Sequence, residues 1–202
     1  MTTFADMQTQ VIANTKRPEL VTLTDSAIRM ATLRAHQVDF FSRDQGNSQL
    51  TYTVPSSGQP YVDIPNIYTT VPQLRTPDFL QSLDTTTLYP SENLEYVVDF
   101  KNFWDEYNVL RQSVFTLLGS TLRVNSAANT GKFQFYFYNN PVVTDAGYSS
   151  WIADLYKEEL AMWAAAIIWM RSGFQEIAAS TQRDVILPFK ELLVTSHLSS
   201  KV

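Results

Sequence analysis

The run of residues 160–170, LAMWAAAIIWM, constrains the fold of this chain more than any other segment. It contains no charged side chain, so it is apolar on every face of any helix that it forms. A bilayer span needs about 20 consecutive apolar residues, and this run is shorter and lies between Glu159 and Arg171. We therefore predict a short helix that other helices cover on all sides. Its role is packing, and it carries no catalytic group.

The composition excludes several classes of chemistry. The chain has 202 residues, of which 45% are hydrophobic, enough for a core in one domain or two small ones. It has no cysteine, which excludes disulfides and thiolate chemistry and favours a cytosolic origin. Its net charge of −5 argues against nonspecific binding to nucleic acid. We expect no metal site, because His36 and His197 are the only histidines. The N-terminus does not resemble a signal peptide.

Helical periodicity marks both ends of the chain. Thr3 is placed to cap a first helix over 3–14, and Thr22 with Asp25 predicts a capping-box start for a second helix over 23–43. Ser149 or Ser150 is expected to cap the apolar helix, which Gly173 ends. A last helix over 175–197 contains Pro188, which should bend or interrupt it.

The middle of the chain, residues 48–143, has a different pattern. Prolines recur at 55, 60, 65, 72, 77 and 90, so no long helix fits there. Residues 114–118 and 121–124 predict a hairpin whose turn contains Gly119 in a positive-φ conformation. Residues 132–138 alternate as a strand, with phenylalanines on one face and Tyr136 and Tyr138 on the other.

These blocks predict an α+β fold. The N- and C-terminal helix pairs, residues 1–47 and 144–202, form a four-helix bundle that covers the run 160–170. Residues 48–143 form an inserted small antiparallel β-sheet block with long loops.

The search for catalytic groups gives weak candidates only. The chain has neither a phosphate-binding glycine loop nor a GxSxG nucleophile elbow. Glu158 and Glu159 are adjacent, so on a helix they point about 100° apart and cannot face each other across a cleft. Asp105 and Glu106 lie beside aromatic residues and can line a sugar site, although a polar loop explains them better. His36 is expected to be exposed or interfacial. We predict that the protein is not an enzyme.

Tyrosines are frequent in the middle block, which leaves two main readings open. They serve either as an interface, for which tyrosine is favoured, or as one face of a small sheet covered by its own loops. A third reading, base stacking on nucleic acid, usually requires a basic groove. The candidate interface residues are Tyr136 and Tyr138 in the sheet, Trp151 and Tyr156 before the apolar helix, and His197 and Leu198 in the last helix.

Three patches, taken in order, resemble the head-to-tail adaptor (connector) proteins of tailed bacteriophages. The first is TFADMQTQV at 3–11 followed by RPEL at 17–20. The second is LGSTLRV at 118–124 leading into FYFYNNP at 135–141, and the third is SWIADLY at 150–156. The chain departs from the family at 76–79, where TPDF stands in place of a compact Leu-Pro-x-Asp-Phe strand entry, which leaves the layout of 55–95 open.

The resemblance implies a structural virion protein without a cofactor. Its subunits would form a homo-oligomeric ring, twelvefold like the portal, at the head-tail interface, after assembly in the host cytoplasm. The helical part would pack subunit against subunit, the C-terminal region would reach toward the portal protein, and the β loops would face tail or nozzle proteins. DNA would pass through the lumen without specific binding, and no segment would span a membrane.

The sequence leaves two alternative functions open. The first is a virion-associated peptidoglycan hydrolase, whose candidate carboxylates are Asp105, Glu106, Glu158 and Glu159. The second is a glycan- or protein-binding β module on a helical stalk, which the tyrosines suggest.

Overall fold

The computed structural model describes residues 1–53, 61–84, 86–104, 109–127 and 131–199, and the side chains of 197–199 lie outside that description. The chain divides into two compact units. One unit combines Met1–Asp44 with Asn140–Val202 and contains helices, and the other, Gln45–Asn139, contains a β-sheet. In chain order the elements are α1 (Phe4–Thr15), α2 (Val21–His36), β1 (Gln45–Thr51), β2 (Val62–Ile64), α3 (Ile67–Thr70), β3 (Leu74–Leu83), β4 (Pro90–Tyr96), β5 (Val114–Leu118), β6 (Thr121–Asn125), β7 (Lys132–Asn139), α4 (Trp151–Leu155), α5 (Lys157–Arg171), α6 (Gln175–Thr181) and α7 (Leu187–Ser199).

Helix α5 contains the apolar run and forms the centre of the helical unit. Helices α1, α2, α4 and α6 all contact it. The side chains from Leu160 to Ile168 are buried, except that of Met162, as the sequence predicts. The prediction is wrong for the end of the run, where Trp169 is half-buried and Met170 is 60% exposed.

The helix starts follow local capping chemistry in part. The hydroxyl of Thr3 accepts a hydrogen bond from the Asp6 N–H, and the Asp6 carboxylate accepts one from the Thr3 N–H, which completes a capping box for α1. The predicted box at Thr22 is wrong, because α2 begins at Val21 without a side-chain cap. Ser150 does cap a helix, but that helix is the short α4, and α5 begins separately after Tyr156.

Pro188 interrupts the last helical segment through a π turn. Residues Gln182–Ile186 form this turn between α6 and α7, and the Leu187 N–H bonds to the Gln182 carbonyl five residues earlier. A proline has no N–H to donate within a helix and its ring crowds the preceding turn. The wider π turn accommodates the proline ring without ending the helical path.

The predicted fold class is wrong in its β part and in its description as a bundle with a small insertion. The β unit contains a seven-stranded, curled sheet with the order β1-β7-β3-β4-β5-β6-β2, which is a major part of the fold. It is mixed, because β4 and β5 pair in parallel while the other pairs are antiparallel. The α+β protein therefore contains a helical unit with about six helices and a separate unit with a large mixed sheet.

Strands β3 and β4 contain prolines, which is why the sequence did not predict them. Pro77 lies in β3, and the pairing of β3 with β7 shifts register between Pro77 and Phe79. Pro90 is the first residue of β4, opposite another register shift at Leu83. Proline cannot donate a ladder hydrogen bond, so strands tolerate it mainly at their first residue or at bulges. Both prolines stand at such positions.

The hairpin and the phenylalanine strand are confirmed. Strands β5 and β6 pair across a turn in which Gly119 has a φ of +59°. In β7 the side chains of Phe133, Phe135 and Phe137 are buried in the core of the β unit, and the alternate residues are half-buried. Part of the predicted turn at 129–131 lies outside the described residues.

Candidate functional site

A buried polar network joins three segments of the helical unit. His36 is the last residue of α2, Asp44 ends a 3₁₀ turn, and Ser150 precedes α4. The His36 Nδ1 atom lies 2.9 Å from both carboxylate oxygens of Asp44, and its Nε2 atom lies 2.9 Å from the Ser150 Oγ atom. The prediction that His36 is exposed or interfacial is wrong, because its side chain is only 2% exposed.

Hydrogen-bond partners define where the protons of this network lie. An ionised carboxylate only accepts, so His36 Nδ1 carries the proton shared with Asp44. In the neutral imidazole, Nε2 then accepts from the Ser150 hydroxyl. The Ser150 oxygen accepts in turn from the Ala153 N–H, and the Trp151 indole N–H donates to Asp44 at 2.8 Å. Each polar atom named here has a partner, as a buried network requires.

The order Asp44, His36, Ser150 has the connectivity of a hydrolytic triad, but its surroundings are those of a structural network. A nucleophilic hydroxyl must reach a substrate, whereas Ser150 is buried and serves as a helix cap. A neighbouring cavity of about 100 Å³ is lined by Trp151 and Tyr156, among others, and not by Ser150 or His36. We therefore assign the network to stabilisation of the helical unit.

The predicted interface residues fall into separate parts of the chain. Trp151 and Tyr156 share that cavity, where Arg43 lies over the Trp151 ring at 5.2 Å. Tyr136 and Tyr138 belong to the β unit and are half-buried, and the Tyr136 ring stacks on Phe79 at 4.2 Å. Packing within the β unit therefore accounts for the position of the Tyr136 ring. The side chains of His197 and Leu198 lie outside the described residues.

The carboxylates considered for hydrolysis do not form a described site. Glu158 is exposed and Glu159 is half-buried in the first turn of α5. Asp105 and Glu106 lie outside the described residues. Within the described part of the chain, no group of three or more His, Cys, Asp or Glu side chains is placed to hold a metal ion.

Sequence inspection missed a basic and apolar pocket of the helical unit. Its volume is about 180 Å³, and α2, α5 and the π turn supply its walls. Arg34 and Arg171 belong to its lining, and neither forms an ion pair with a carboxylate of the described residues. The remaining lining residues are Met30, Trp163, Ala166, Ile167, Met170, Gln182 and Ile186. The sequence does carry a signal, because Met30 precedes Arg34, and Ile167 precedes Arg171, by one helical turn.

A second groove and an exposed helix face add apolar surface to the same unit. Phe174 and Ile177 are each nearly half exposed, and they line a groove of about 170 Å³ with Ile168 and Trp169. On α7, Leu187 and Leu192 are 47% and 46% exposed, while Phe189 and Leu193 are buried. The sequence predicts one apolar face of the last helix made of Ile177, Thr181, Val185, Phe189 and Leu192. Thr181 and Phe189 are buried, but the prediction is wrong for Ile177 and Leu192, which are about half exposed.

No protein-family model matches this chain, and no curated protein matches it significantly. Among the described residues, no helix combines the length and the hydropathy that crossing a membrane requires.

Proposed function

We propose that this protein is a structural subunit of a bacteriophage head-to-tail adaptor. In this role it forms a homo-oligomeric ring, twelvefold by resemblance, that joins the portal protein to tail or nozzle proteins in the virion. The proposal assigns it no catalytic role and no cofactor. The resemblance of three sequence patches to this family supports the proposal, and the apolar surface of the helical unit provides the physical argument.

The observation that carries the proposal is the amount of apolar surface left uncovered on the helical unit. Met170, Phe174, Ile177, Leu187 and Leu192 are large apolar side chains that are each about half exposed. All five lie between the end of α5 and α7, so they are concentrated in one part of the sequence. Apolar surface left exposed in this stretch is suited to a protein interface, and permanent assemblies bury such surface between subunits.

The buried polar groups support the same reading. The polar network around His36 is enclosed and joins helix ends, as a rigid building block requires. The charge of the chain suits a conduit for DNA as well, because twelve copies of a −5 chain carry about −60 in total. An acidic lumen would repel phosphates and let a genome slide.

Co-sedimentation with portal rings tests this function. The purified protein should sediment with rings of the portal protein encoded in the same genome, and it should remain in the supernatant when mixed with an unrelated ring protein. A cell-wall zymogram at high protein load should show no clearing. Failure to bind portal rings would remove the adaptor proposal, and clearing would favour the hydrolase instead.

A further inference from the structure

We infer that neighbouring copies of this chain bind through a head-to-tail contact, in which the pocket lined by Arg34 and Arg171 receives the exposed face of α7. The inference rests on the proposed ring function and deepens it by naming the two surfaces that meet. The occupant of the pocket is therefore a second copy of the same chain.

The pocket has the chemistry of a site for an apolar side chain with a nearby carboxylate. Trp163 and Ile167 form part of an apolar lining, and both are nearly fully buried. Arg34 and Arg171 are exposed and add two positive charges. Arg171 bonds to the hydroxyl of Ser26 at 3.3 Å, so it has hydrogen-bond capacity but no carboxylate partner in the described chain.

The outer face of α7 has the complementary pattern. Glu191 follows Leu187 by one helical turn and immediately precedes Leu192, and all three are exposed. No cation of the described residues forms an ion pair with Glu191. The adjacent cation, Lys190, lies over the Trp163 ring at 4.9 Å and so belongs to the packing of the unit. The face thus presents an uncompensated negative charge between two apolar side chains.

A copy cannot fill its own pocket with this face. Ile186 reaches the pocket from the turn before α7, and Phe189 and Leu193 of α7 are buried within the helical unit. Leu187 and Glu191 lie on the opposite side of the helix from these buried residues. The face therefore points away from the packing that holds α7, and only another molecule can bring it to a pocket.

The contact joins two different surfaces, so it is heterologous. A heterologous contact repeats from copy to copy and closes into a ring when its rotation divides a full turn. A two-fold contact would instead bring identical surfaces together and stop at a dimer. The two complementary surfaces on one chain are what a ring-forming subunit requires.

Cross-linking tests the contact without background, because the chain contains no cysteine. Met170→Cys introduces a thiol at the pocket and Leu192→Cys introduces one on α7. With a short bis-maleimide, the double variant should give a ladder of dimers, trimers and larger species, both alone and on portal rings. Each single variant should remain monomeric, and a mixture of the two singles should stop at a dimer. The matched control pairs Leu192→Cys with Leu155→Cys, an exposed leucine outside the pocket, and should give little product.

Charge reversal then identifies the ion pairing. In the double-cysteine background, Arg34→Glu should lower the ladder yield by at least about tenfold, and adding Glu191→Arg should restore it. Lys16→Glu, at an exposed cation outside the pocket, should leave the yield unchanged. Circular dichroism of each variant separates lost contact from lost folding.

The outcomes separate this inference from the function on which it rests. If the double-cysteine variant joins portal rings but gives no ladder, or if either single variant cross-links to itself, the contact is wrong and the adaptor function stands. If Arg34→Glu abolishes portal binding while leaving the ladder intact, the portal occupies the pocket and the inference is overturned. If the unmodified chain neither oligomerises nor binds portal rings, the adaptor function itself fails.

Discussion

The hydroxyl oxygen of Ser150 lies 2.9 Å from the Nε2 atom of His36, although 114 residues separate them in the chain. Because His36 also contacts Asp44 through Nδ1, one imidazole connects the end of α2, the following 3₁₀ turn and the start of α4. All three side chains are buried, so water cannot replace a missing partner easily. The contact between Ser150 and His36 therefore joins the two parts of the sequence that build the helical unit.

The His36–Asp44 contact should dominate the stability of this network. His36→Ala leaves the buried Asp44 carboxylate with fewer donors, and we expect the free energy of unfolding to fall by about 2–4 kcal/mol. Ser150→Ala removes a helix cap and the bond to His36, and should cost about 1–2 kcal/mol. Urea denaturation measures both changes. Gln37→Ala, at an exposed neighbour, should lie within about 0.5 kcal/mol of the parent; equal midpoints for His36→Ala and the parent would refute the role of the network.

The two tryptophans at the centre and end of α5 should differ in their contributions. Trp163 is 4% exposed and packs edge-on against Phe189, whereas Trp169 is only half-buried. We expect Trp163→Ala to cost about 3–5 kcal/mol and Trp169→Ala clearly less. Thermal and urea unfolding of the two variants give the comparison. Parent-like unfolding of Trp163→Ala would contradict the placement of α5 at the centre of the helical unit.

Tyr148 should make the protein less stable at alkaline pH. Burial raises the pKa of its phenol above the ordinary value of 10.0. The folded protein therefore keeps a proton that the unfolded chain loses as the pH rises past 10, and the free energy of unfolding falls over that range. Tyr148→Phe should flatten this dependence when the free energy of unfolding is measured from pH 8 to 11.

The same variant has a smaller effect at neutral pH. The Thr32 hydroxyl donates to the Ile28 carbonyl at 2.8 Å, so the Tyr148 hydroxyl is the donor in its 2.9 Å bond to Thr32. Loss of that bond should cost about 1 kcal/mol at pH 7. An unchanged alkaline slope in Tyr148→Phe would show that other groups cause it.

The turn between β5 and β6 should tolerate asparagine better than alanine at Gly119. A Cβ atom added there meets nothing within 4 Å, so only the backbone φ of +59° opposes a side chain. We expect Gly119→Ala to cost about 1–2 kcal/mol, because alanine is strained in this left-handed region. Gly119→Asn should cost less, since asparagine enters the region more readily. Equal losses for both variants would point to a contact that this turn makes elsewhere.

Local patterns predicted the elements that local chemistry determines. The α1 capping box, the β5–β6 hairpin and the alternation of β7 follow from residues within a few positions of one another. Residues 160–170 were predicted to form a buried helix because the run is apolar on every side, and the prediction holds as far as Ile168, except at Met162. Each of these signals lies within a short stretch of sequence.

Long-range pairing accounts for the errors. Strands β3 and β4 contain prolines that argue against a sheet interior, and only their bulged pairing with β7 and each other explains how they fit. Strands β4 and β5 pair in parallel, and no short sequence pattern predicts the connection that such a pair requires. The sequence therefore predicted a small antiparallel block where a large mixed sheet forms.

The errors at the candidate site have the same cause, because its residues are distant in sequence. His36 looked exposed because its partners Asp44 and Ser150 are not neighbours on its own helix face. The pocket with Arg34 and Arg171 required two helices from opposite ends of the chain to come together. The exposure of Leu192 depends on the π turn, which rotates α7 relative to α6.

Mass photometry of the protein mixed with portal rings tests the central claim most directly. The adaptor account predicts that the ring mass increases, at saturation, by the mass of twelve chains of 23.0 kDa. Arg34→Glu should reduce this increase in ring mass, and Lys16→Glu should not. A portal ring whose mass stays unchanged at saturating protein would contradict the account.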